Sequence, residues 1–278
     1  MTLPAAAGSA APIGVFDSGV GGLTVVRELI RQLPRESLIY FGDTARVPYG
    51  PKSPDTIRNY SREIGGYLMS QGVKAIVVAC NTATAHALPS LARELPVPVI
   101  GVVEPGARAA VAATRGSGIG VIGTAGTVAS GAYEQAIHAF APSARVVTTA
   151  CPLFVPLVEE GWLDTEATTL IARQYLAPIV ASGVDTLVLG CTHYPLLAPV
   201  IVPIVGDAVQ LIDSAHATAS ATRDAISRAG LERPVTGANA LSPPRYRFVV
   251  SDGADQFLRA GRRFLGSAIE HVETRTFS

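Results

Sequence analysis

The sequence predicts an α/β protein built from two pseudo-symmetric, doubly wound parallel-sheet domains that enclose a cleft. Short apolar runs alternate with amphipathic helical patterns of about 10 to 18 residues, as expected of βαβ units. Of the 278 residues, 48% are hydrophobic and 16% are charged, which is typical of a compact chain with a large core. The third observation is an internal repeat, in which the segments that begin at residues 13 and 75 resemble those that begin at residues 119 and 186.

Nine strands are predicted, and most of them are continuously apolar because a strand covered on both faces has no solvent side. In chain order they span residues 13–16, 38–42, 75–79, 97–101, 118–123, 145–150, 186–190, 209–213 and 246–250.

Crossover helices are predicted between the strands from the 3.6-residue spacing of apolar side chains. They span residues 24–33, 55–72 and 165–183, and each ends near Gly or Pro. Residues 232–245 are rich in Pro, Gly and small polar residues, which predicts an exposed connection before the last strand.

The repeat divides the chain into a first domain of residues 1–103 plus 213–278 and a second domain of residues 104–212. It also places a cysteine at the same point of both halves, in VVACNT (77–82) and VLGCTH (188–193). Ligands of open parallel sheets bind outside the carboxyl ends of the strands. The polar residues predicted at these ends are Asp17, Ser18, Cys80, Asn81, Thr124, Cys191, Thr192 and His193. If the halves face each other, the two cysteines flank one cleft.

The charge balance and the amino-terminal sequence narrow the class of protein. The 22 basic and 22 acidic residues cancel, and no Lys/Arg cluster interleaves with aromatic residues, which argues against nucleic-acid binding. The chain has only three cysteines, an odd number, which is typical of a protein in a reducing compartment rather than one held by disulfides. Residues 1–12 lack the basic and apolar regions of a secretory signal, and the most membrane-like stretch, residues 186–206, contains His193 and three prolines. We therefore expect a cytoplasmic protein without a membrane partner.

Cys80 and Cys191 could be core, metal-binding or catalytic residues. A cysteine at a strand end is more often a buried core residue than a catalytic one. Cys151 has no polar residues directly after it in the sequence and is predicted to be a core residue. A metal site made of Cys191, His193 and the distant Cys80 matches no usual zinc spacing. A Cys-His hydrolase needs one thiol and leaves the second unexplained. Two thiols on opposite faces of one carbon suit stereoinversion, in which one removes a proton and the other donates one.

The sequence favours a reaction without a cofactor or a metal. Many amino-acid racemases hold pyridoxal phosphate on a lysine, but this chain has only Lys52, in a loop, and Lys74, at the amino-terminal end of a strand and away from the cleft. The segment DSGVGG (17–22) fits neither the dinucleotide nor the phosphate-loop spacing. A tight turn explains its glycines but leaves the Asp17 carboxylate unexplained.

At these residues the chain resembles the cofactor-independent aspartate/glutamate racemase family, and within it the glutamate racemases. The matching motifs run in order along the chain: GVFDSGVGGL (14–23), YFGDTARVPYG (40–50), ACNTATA (79–85), GVVEPG (101–106), GTAGTVASGAY (123–133), CPLFVPLVEEG (151–161), LGCTHYPLL (189–197) and DSA (213–215). Aspartate racemases tend to carry Glu in place of His193 and lack the FDSGVGG opening, so the resemblance favours glutamate.

The resemblance implies an active site in the cleft between the domains, which racemises L- and D-glutamate reversibly by a two-thiol, cofactor-independent proton transfer at Cα. In this family the D-glutamate supplies peptidoglycan biosynthesis, and with it the cell wall and cell shape, and a homodimer is expected. The alternatives are a racemase of another acidic amino acid, a non-catalytic amino-acid-binding protein, and a lyase or decarboxylase that needs one thiol.

The resemblance also implies roles for individual residues. Cys80 and Cys191 would be the acid-base groups, while Asp17 and His193 would assist one thiol each. Glu159, with Glu160 as the less favoured neighbour, would order His193. The implied substrate contacts are Asp17, Ser18, Tyr49, Gly50, Asn81, Thr82, Thr124, Thr127, Thr192 and His193. For Thr124 and Thr127, helix capping is an equally good explanation.

Overall fold

Ten strands, all parallel, form two sheets in the computed structural model, which describes residues 8–234 and 243–277. The strands are β1 (Ile13–Asp17), β2 (Leu38–Gly42), β3 (Ala75–Val78), β4 (Val99–Gly101), β5 (Ile119–Gly123), β6 (Val146–Ala150), β7 (Thr186–Gly190), β8 (Gln210–Asp213), β9 (Tyr246–Val250) and β10 (Glu273–Thr274). The first sheet has the order β10-β9-β2-β1-β3-β4 and the second has the order β6-β5-β7-β8. The predicted pair of parallel-sheet α/β units is confirmed.

The nine predicted strands are all present, with ends within two residues of those predicted, and β2, β7 and β9 match residue for residue. Sequence reasoning missed β10, which pairs with β9 at the edge of the first sheet. Its two residues, Glu273 and Thr274, carry no apolar pattern.

Eleven α-helices connect the strands within the described ranges. They are α1 (Leu23–Gln32), α2 (Pro54–Ser70), α3 (Asn81–Glu94), α4 (Val103–Ala113), α5 (Ala125–Ala129), α6 (Ala132–Phe140), α7 (Phe154–Glu159), α8 (Glu166–Ser182), α9 (Ala198–Val205), α10 (Ser214–Arg228) and α11 (Ala254–Leu265). The three predicted helices correspond to α1, α2 and α8, again within two residues at each end. Their ends carry the usual signals, because Pro54 follows the Ser53 N-cap of α2 and Gly183 ends α8 with a φ of 66°.

Each sheet has an apolar core on both of its faces because side chains alternate along a strand. In β1, Val15 faces a core shared with α1, α10 and α11, whereas Phe16 faces a core shared with α2 and α3. In β7, Leu187 packs with α8 and α9, whereas Val188 packs with α4 and α6. Helices therefore cover both faces of both sheets, as a doubly wound fold requires.

Two helices carry the chain between the sheets. The chain leaves the first sheet through α4, which precedes β5, and returns to it through α10, which follows β8. These two helices pack against each other, and α10 also packs against α1. These helices therefore join the two sheets. At the carboxyl ends of the central strands, each half of the chain lies close to the other.

Some predictions concern residues at the margins of the fold. Residues 1–7 of the predicted lead-in and residues 235–242 of the predicted exposed connection lie outside the described residues. None of the helices in the described ranges has the length and hydropathy needed to cross a bilayer. Lys74 lies before β3, where its Nζ pairs with Glu36 and lies 2.7 Å from the Ser9 carbonyl oxygen. It is therefore at the end of the sheet opposite Cys80.

Candidate active site

The carboxyl ends of four central strands bring the repeated motifs together. Asp17 ends β1 and Cys80 follows β3 in the first sheet, while Thr124 follows β5 and Cys191 follows β7 in the second. Cys80 is also the N-cap of α3, because its Sγ accepts a hydrogen bond from the Ala83 N–H at 3.4 Å. The two cysteines thus occupy equivalent places in the two sheets, as the repeat predicts.

Both cysteines line one cavity between the two halves of the chain. The other lining residues are Ser18, Val47, Pro48, Tyr49, Gly50, Asn81, Thr82, Thr124, Val155, Thr192 and His193. The cavity is small, with a volume of about 20 Å³. Cys80 and Cys191 are each 6% exposed. The two thiols therefore open into a single, nearly closed space.

Three of the predicted site residues stand behind the cavity wall. Asp17, Glu159 and Thr127 are not lining residues, but each interacts with one that is. Sequence reasoning missed three apolar residues of the wall, which are Val47, Pro48 and Val155. They lie inside the motifs YFGDTARVPYG and CPLFVPLVEEG. Their position in these motifs is the one feature of the sequence that could have identified them as site residues.

Cys80 lies beside two polar residues at the end of β1. Its Sγ is 3.8 Å from Ser18 Oγ. Asp17 Oδ2 accepts a hydrogen bond from the Gly22 N–H at 2.7 Å, whereas Asp17 Oδ1 is buried without a hydrogen-bond partner in the described chain. Burial raises the pKa of Asp17 and of Cys80, and the nearby Asp17 charge raises the pKa of Cys80 further. The Cys80 side of the cavity therefore favours a protonated thiol.

Cys191 lies beside an imidazole that a carboxylate holds in place. Cys191 Sγ is 3.8 Å from His193 Nδ1, and His193 Nε2 is 3.1 Å from Glu159 Oε1. Burial lowers the pKa of His193, but hydrogen bonds to Cys191 and Glu159 outweigh it and raise the pKa to about 10. The imidazole therefore carries a positive charge at neutral pH, next to the Cys191 sulfur. Of the two neighbouring glutamates, Glu159 is the one whose carboxylate reaches His193.

Three threonine hydroxyls join the two halves beside the cavity. Thr82 Oγ1, at the start of α3, lies 2.9 Å from Thr124 Oγ1 and 3.1 Å from Thr127 Oγ1, and the latter two atoms are 3.0 Å apart. Thr124 also caps α5, because its Oγ1 accepts a hydrogen bond from the Thr127 N–H at 3.2 Å. Thr124 therefore both caps a helix and lines the cavity, whereas Thr127 holds Thr124 and Thr82 from behind.

Tyr49 and Gly50 bring the segment after β2 to the cavity. The Tyr49 hydroxyl donates a hydrogen bond to Asp43 Oδ2 at 2.5 Å, so the phenol is held inside the first half. The Gly50 carbonyl oxygen accepts a hydrogen bond from the Gly126 N–H at 3.0 Å. A Cβ on Gly50 would lie 2.9 Å from Thr124 Cβ, so only glycine allows this approach.

Gly21 lets the glycine-rich turn after β1 approach the second half. A Cβ at this position would lie 2.5 Å from His193 Nδ1 and would collide with Thr192 Oγ1. The DSGVGG segment thus contains a glycine that serves a close approach between the halves, in addition to the tight turn predicted for it.

Other candidate residues do not form a second site. Cys151 is fully buried outside the cavity wall, as predicted for a core residue. Within residues 8–234 and 243–277, no group of three His, Cys, Asp or Glu side chains is arranged to hold a metal ion. In the described chain, the lining residues include no Lys or Arg, so amides, hydroxyls and His193 are the polar groups that face a ligand.

The chain matches the family model described as Asp/Glu/Hydantoin racemase over residues 13–222. A glutamate racemase from Geobacter metallireducens is 53% identical over 260 residues, which cover 94% of this chain and 94% of that protein. The crystal structure of a glutamate racemase isoform from Bacillus anthracis has a TM-score of 0.89 at 41% identity and covers 97% of this chain and 98% of that one. The glutamate racemase from Francisella tularensis in complex with D-glutamate has a TM-score of 0.88 at 37% identity, with 96% and 98% of the two chains covered.

Proposed function

Because this chain belongs to the Asp/Glu/hydantoin racemase family, we propose that it interconverts L- and D-glutamate by proton transfer at Cα between Cys80 and Cys191. One observation carries the proposal, which is that both thiols line the same nearly closed cavity. A single bound carbon can therefore lie between them. The proposed reaction uses no cofactor, since one thiol acts as base and the other as acid.

The two thiols differ in their surroundings, which assigns them different starting roles. Cys191 faces the protonated imidazole of His193, and we assign it the role of the base. Cys80 starts as a thiol, because burial and Asp17 raise its pKa. In this charge pattern Cys191 removes the Cα proton from one face and Cys80 donates a proton to the opposite face.

The reverse reaction needs the opposite charge pattern, and two neighbouring groups supply it. Asp17, whose pKa is raised by burial, takes the proton of Cys80. His193 passes its proton to Cys191, while Glu159 keeps the imidazole in place. The site holds the same number of protons in both patterns, so both enantiomers are converted without net proton uptake.

The remaining polar groups of the site suit the ammonium and carboxylate groups of an amino acid. Asn81 Nδ2 is a donor in the cavity wall, and it is buried without a hydrogen-bond partner in the described chain. The donor suits a carboxylate, and the hydroxyl and carbonyl oxygens of the wall suit an ammonium group. We assign the further contacts to the hydroxyls of Ser18, Thr82, Thr124 and Thr192, to His193 and to the backbone of Tyr49 and Gly50, with Thr127 as their support. In a cavity that excludes water, such dipoles stabilise the charge that develops at Cα.

The cellular setting is part of the same proposal. We propose that the D-glutamate product supplies peptidoglycan synthesis in the cytoplasm and that the protein acts as a homodimer. We also propose that residues 1–103 plus 213–278 form one domain and residues 104–212 the other. This division is supported by α4 and α10, which carry the chain between the sheets and begin at Val103 and Ser214.

The test is inversion with solvent-proton exchange. L-Glutamate is incubated with the protein in D2O without added cofactor, and circular dichroism follows inversion while NMR follows deuterium at Cα. We expect each enantiomer to gain deuterium as it inverts, and Cys80→Ala and Cys191→Ala each to abolish racemisation. Cys151→Ala removes the third buried thiol and is the matched control, which should still racemise glutamate.

Other outcomes identify the alternatives. Full activity of either cavity-cysteine variant rejects the two-thiol mechanism. Glutamate that binds without losing its optical activity indicates a binding protein, and release of carbon dioxide indicates a decarboxylase. Faster inversion of aspartate than of glutamate assigns a different acidic substrate.

A further inference from the structure

Three residues to which the proposed mechanism gives no role meet at one buried point behind Asn81. They are Gly106 of GVVEPG, Tyr133 of GTAGTVASGAY and Ser214 of DSA. A Cβ on Gly106 would lie 3.1 Å from Ser214 Cβ and 3.2 Å from the Tyr133 hydroxyl oxygen. Helices α4, α6 and α10 therefore pack closely around a single phenol.

The Tyr133 phenol links the second half of the chain to the cavity wall of the first half. Its hydroxyl donates a hydrogen bond to Asn81 Oδ1 at 2.7 Å. The side chain of Ser214 lies next to the phenol. Tyr133 is 2% exposed and Asn81 is 3% exposed, so bulk water does not compete for the hydrogen bond between them.

The hydrogen bond from Tyr133 fixes the orientation of the Asn81 amide. A carboxamide has an oxygen that accepts and a nitrogen that donates. With Oδ1 bonded to Tyr133, Nδ2 is the amide group left for a ligand, and it is buried without a hydrogen-bond partner in the described chain. A flipped amide would turn its donors toward Tyr133 and break the hydrogen bond that the phenol donates to Oδ1. The phenol therefore selects the orientation that offers a donor.

We propose that Tyr133 is a positioning residue, which holds Asn81 so that Nδ2 donates a hydrogen bond to a carboxylate of the bound amino acid. The inference rests on the proposed function, because it takes an acidic amino acid as the ligand of the cavity. Asn81 lines that cavity and Tyr133 does not, so Tyr133 acts on the ligand only through Asn81.

The first experiment compares Tyr133→Phe with the matched control Tyr194→Phe. Both variants lose one buried phenol hydroxyl, but the Tyr194 hydroxyl donates to the Cys151 carbonyl oxygen at 2.8 Å, outside the cavity. We expect Tyr133→Phe to raise KM for both enantiomers about threefold to tenfold, with kcat changed less than about twofold. The reason is that the weakened hydrogen bond holds the ground state and the transition state equally well. Tyr194→Phe should leave KM unchanged. An equal rise of KM in both variants, or no rise in Tyr133→Phe, overturns the inference.

A double-mutant cycle separates positioning from a general loosening of the fold. In an Asn81→Ala background, Tyr133→Phe should have no further effect on KM, because the amide that it positions is gone. If the two substitutions raise KM in the double variant by the product of their separate factors, the inference is overturned. If Asn81→Ala lowers activity below detection, the calorimetric Kd for D-glutamate replaces KM in the same cycle. A parent chain that binds glutamate without racemising it refutes the proposed function, yet the calorimetric cycle still decides the role of Tyr133.

Discussion

His193 Nε2 lies 3.1 Å from Glu159 Oε1, so a carboxylate holds the far side of the imidazole that faces Cys191. The corresponding place next to Cys80 is taken by the carboxyl group of Asp17. The two halves of the site are thus related by the chain repeat but carry opposite charges beside their thiols. This difference allows one thiol to start as base while the other starts as acid.

Glu159→Gln should lower the pKa of His193, because a neutral amide no longer favours the charged imidazole. In the parent chain that pKa is about 10, so His193 stays protonated over most of the accessible pH range. We expect the alkaline limb of the pH profile of kcat to move to lower pH by about one unit or more. Glu160→Gln is the control, since it makes the same chemical change one residue along the chain. Identical profiles for the two variants would contradict the role of Glu159.

The raised pKa of His193 also predicts how the free energy of unfolding changes with pH. His193 has a pKa of about 10 in the folded chain and about 6.5 in the unfolded chain, so folding favours the protonated form. Its stabilisation is complete below about pH 6.5 and is lost as the pH rises to about 10. The difference in unfolding free energy between the parent and His193→Asn should therefore shrink from pH 6 to pH 10 in urea titrations. A difference that grows over this range would contradict the assignment.

His193→Asn should lower kcat more in the direction in which Cys191 donates a proton, because His193 supplies that proton. L- and D-glutamate have the same free energy in water, so kcat/KM must remain equal in the two directions. KM must therefore change unequally together with kcat. Circular dichroism progress curves started from each enantiomer measure both constants. Equal loss of kcat in both directions would remove the assigned role.

Asp17→Asn should stabilise the protein while it lowers activity. Folding raises the pKa of Asp17, mainly through burial, so the ionised form destabilises the fold increasingly as the pH rises through the raised pKa. Asparagine keeps an acceptor for the Gly22 N–H but carries no charge. We expect a gain of about 1 kcal/mol at pH 7, seen as a rise in Tm of about 2–4 °C, and a fall in kcat of about 100-fold or more. The gain in Tm should disappear near pH 4, and a gain that persists there would point to another cause.

Gly21→Ala should damage the site by displacing His193. The new Cβ would lie 2.5 Å from His193 Nδ1, so either the turn or the imidazole must move. We expect kcat/KM to fall by about 100-fold, as for other misplacements of a catalytic group by about 1 Å. Gly66→Ala, in α2, is the control because its Cβ meets nothing within 4 Å. It should keep full activity and gain up to about 1 kcal/mol of helix stability.

The strands and the positions of the two cysteines could be predicted because they depend on local sequence. A strand buried on both faces needs a continuous apolar run such as TLVLG, and the chain marks its end with small or polar residues. Cys80 and Cys191 then follow because parallel strands place their carboxyl ends at one edge. β10 could not be predicted in this way, because two polar residues at a sheet edge carry no pattern.

The division of the site into wall and support could not be predicted from the sequence. Asp17 and Thr127 act from behind the wall, which depends on side-chain distances rather than on order along the chain. Apolar lining residues such as Val155 carry no chemical signal. Tyr133 and Asn81 are 52 residues apart and lie on different halves, so only the three-dimensional structure reveals their hydrogen bond.

A space of about 20 Å³ leaves little room beside the two thiols. We therefore expect the walls on either side of Cys80 and Cys191 to move apart for substrate entry and again for product release. If either movement is slower than the proton transfers, it sets the steady-state rate.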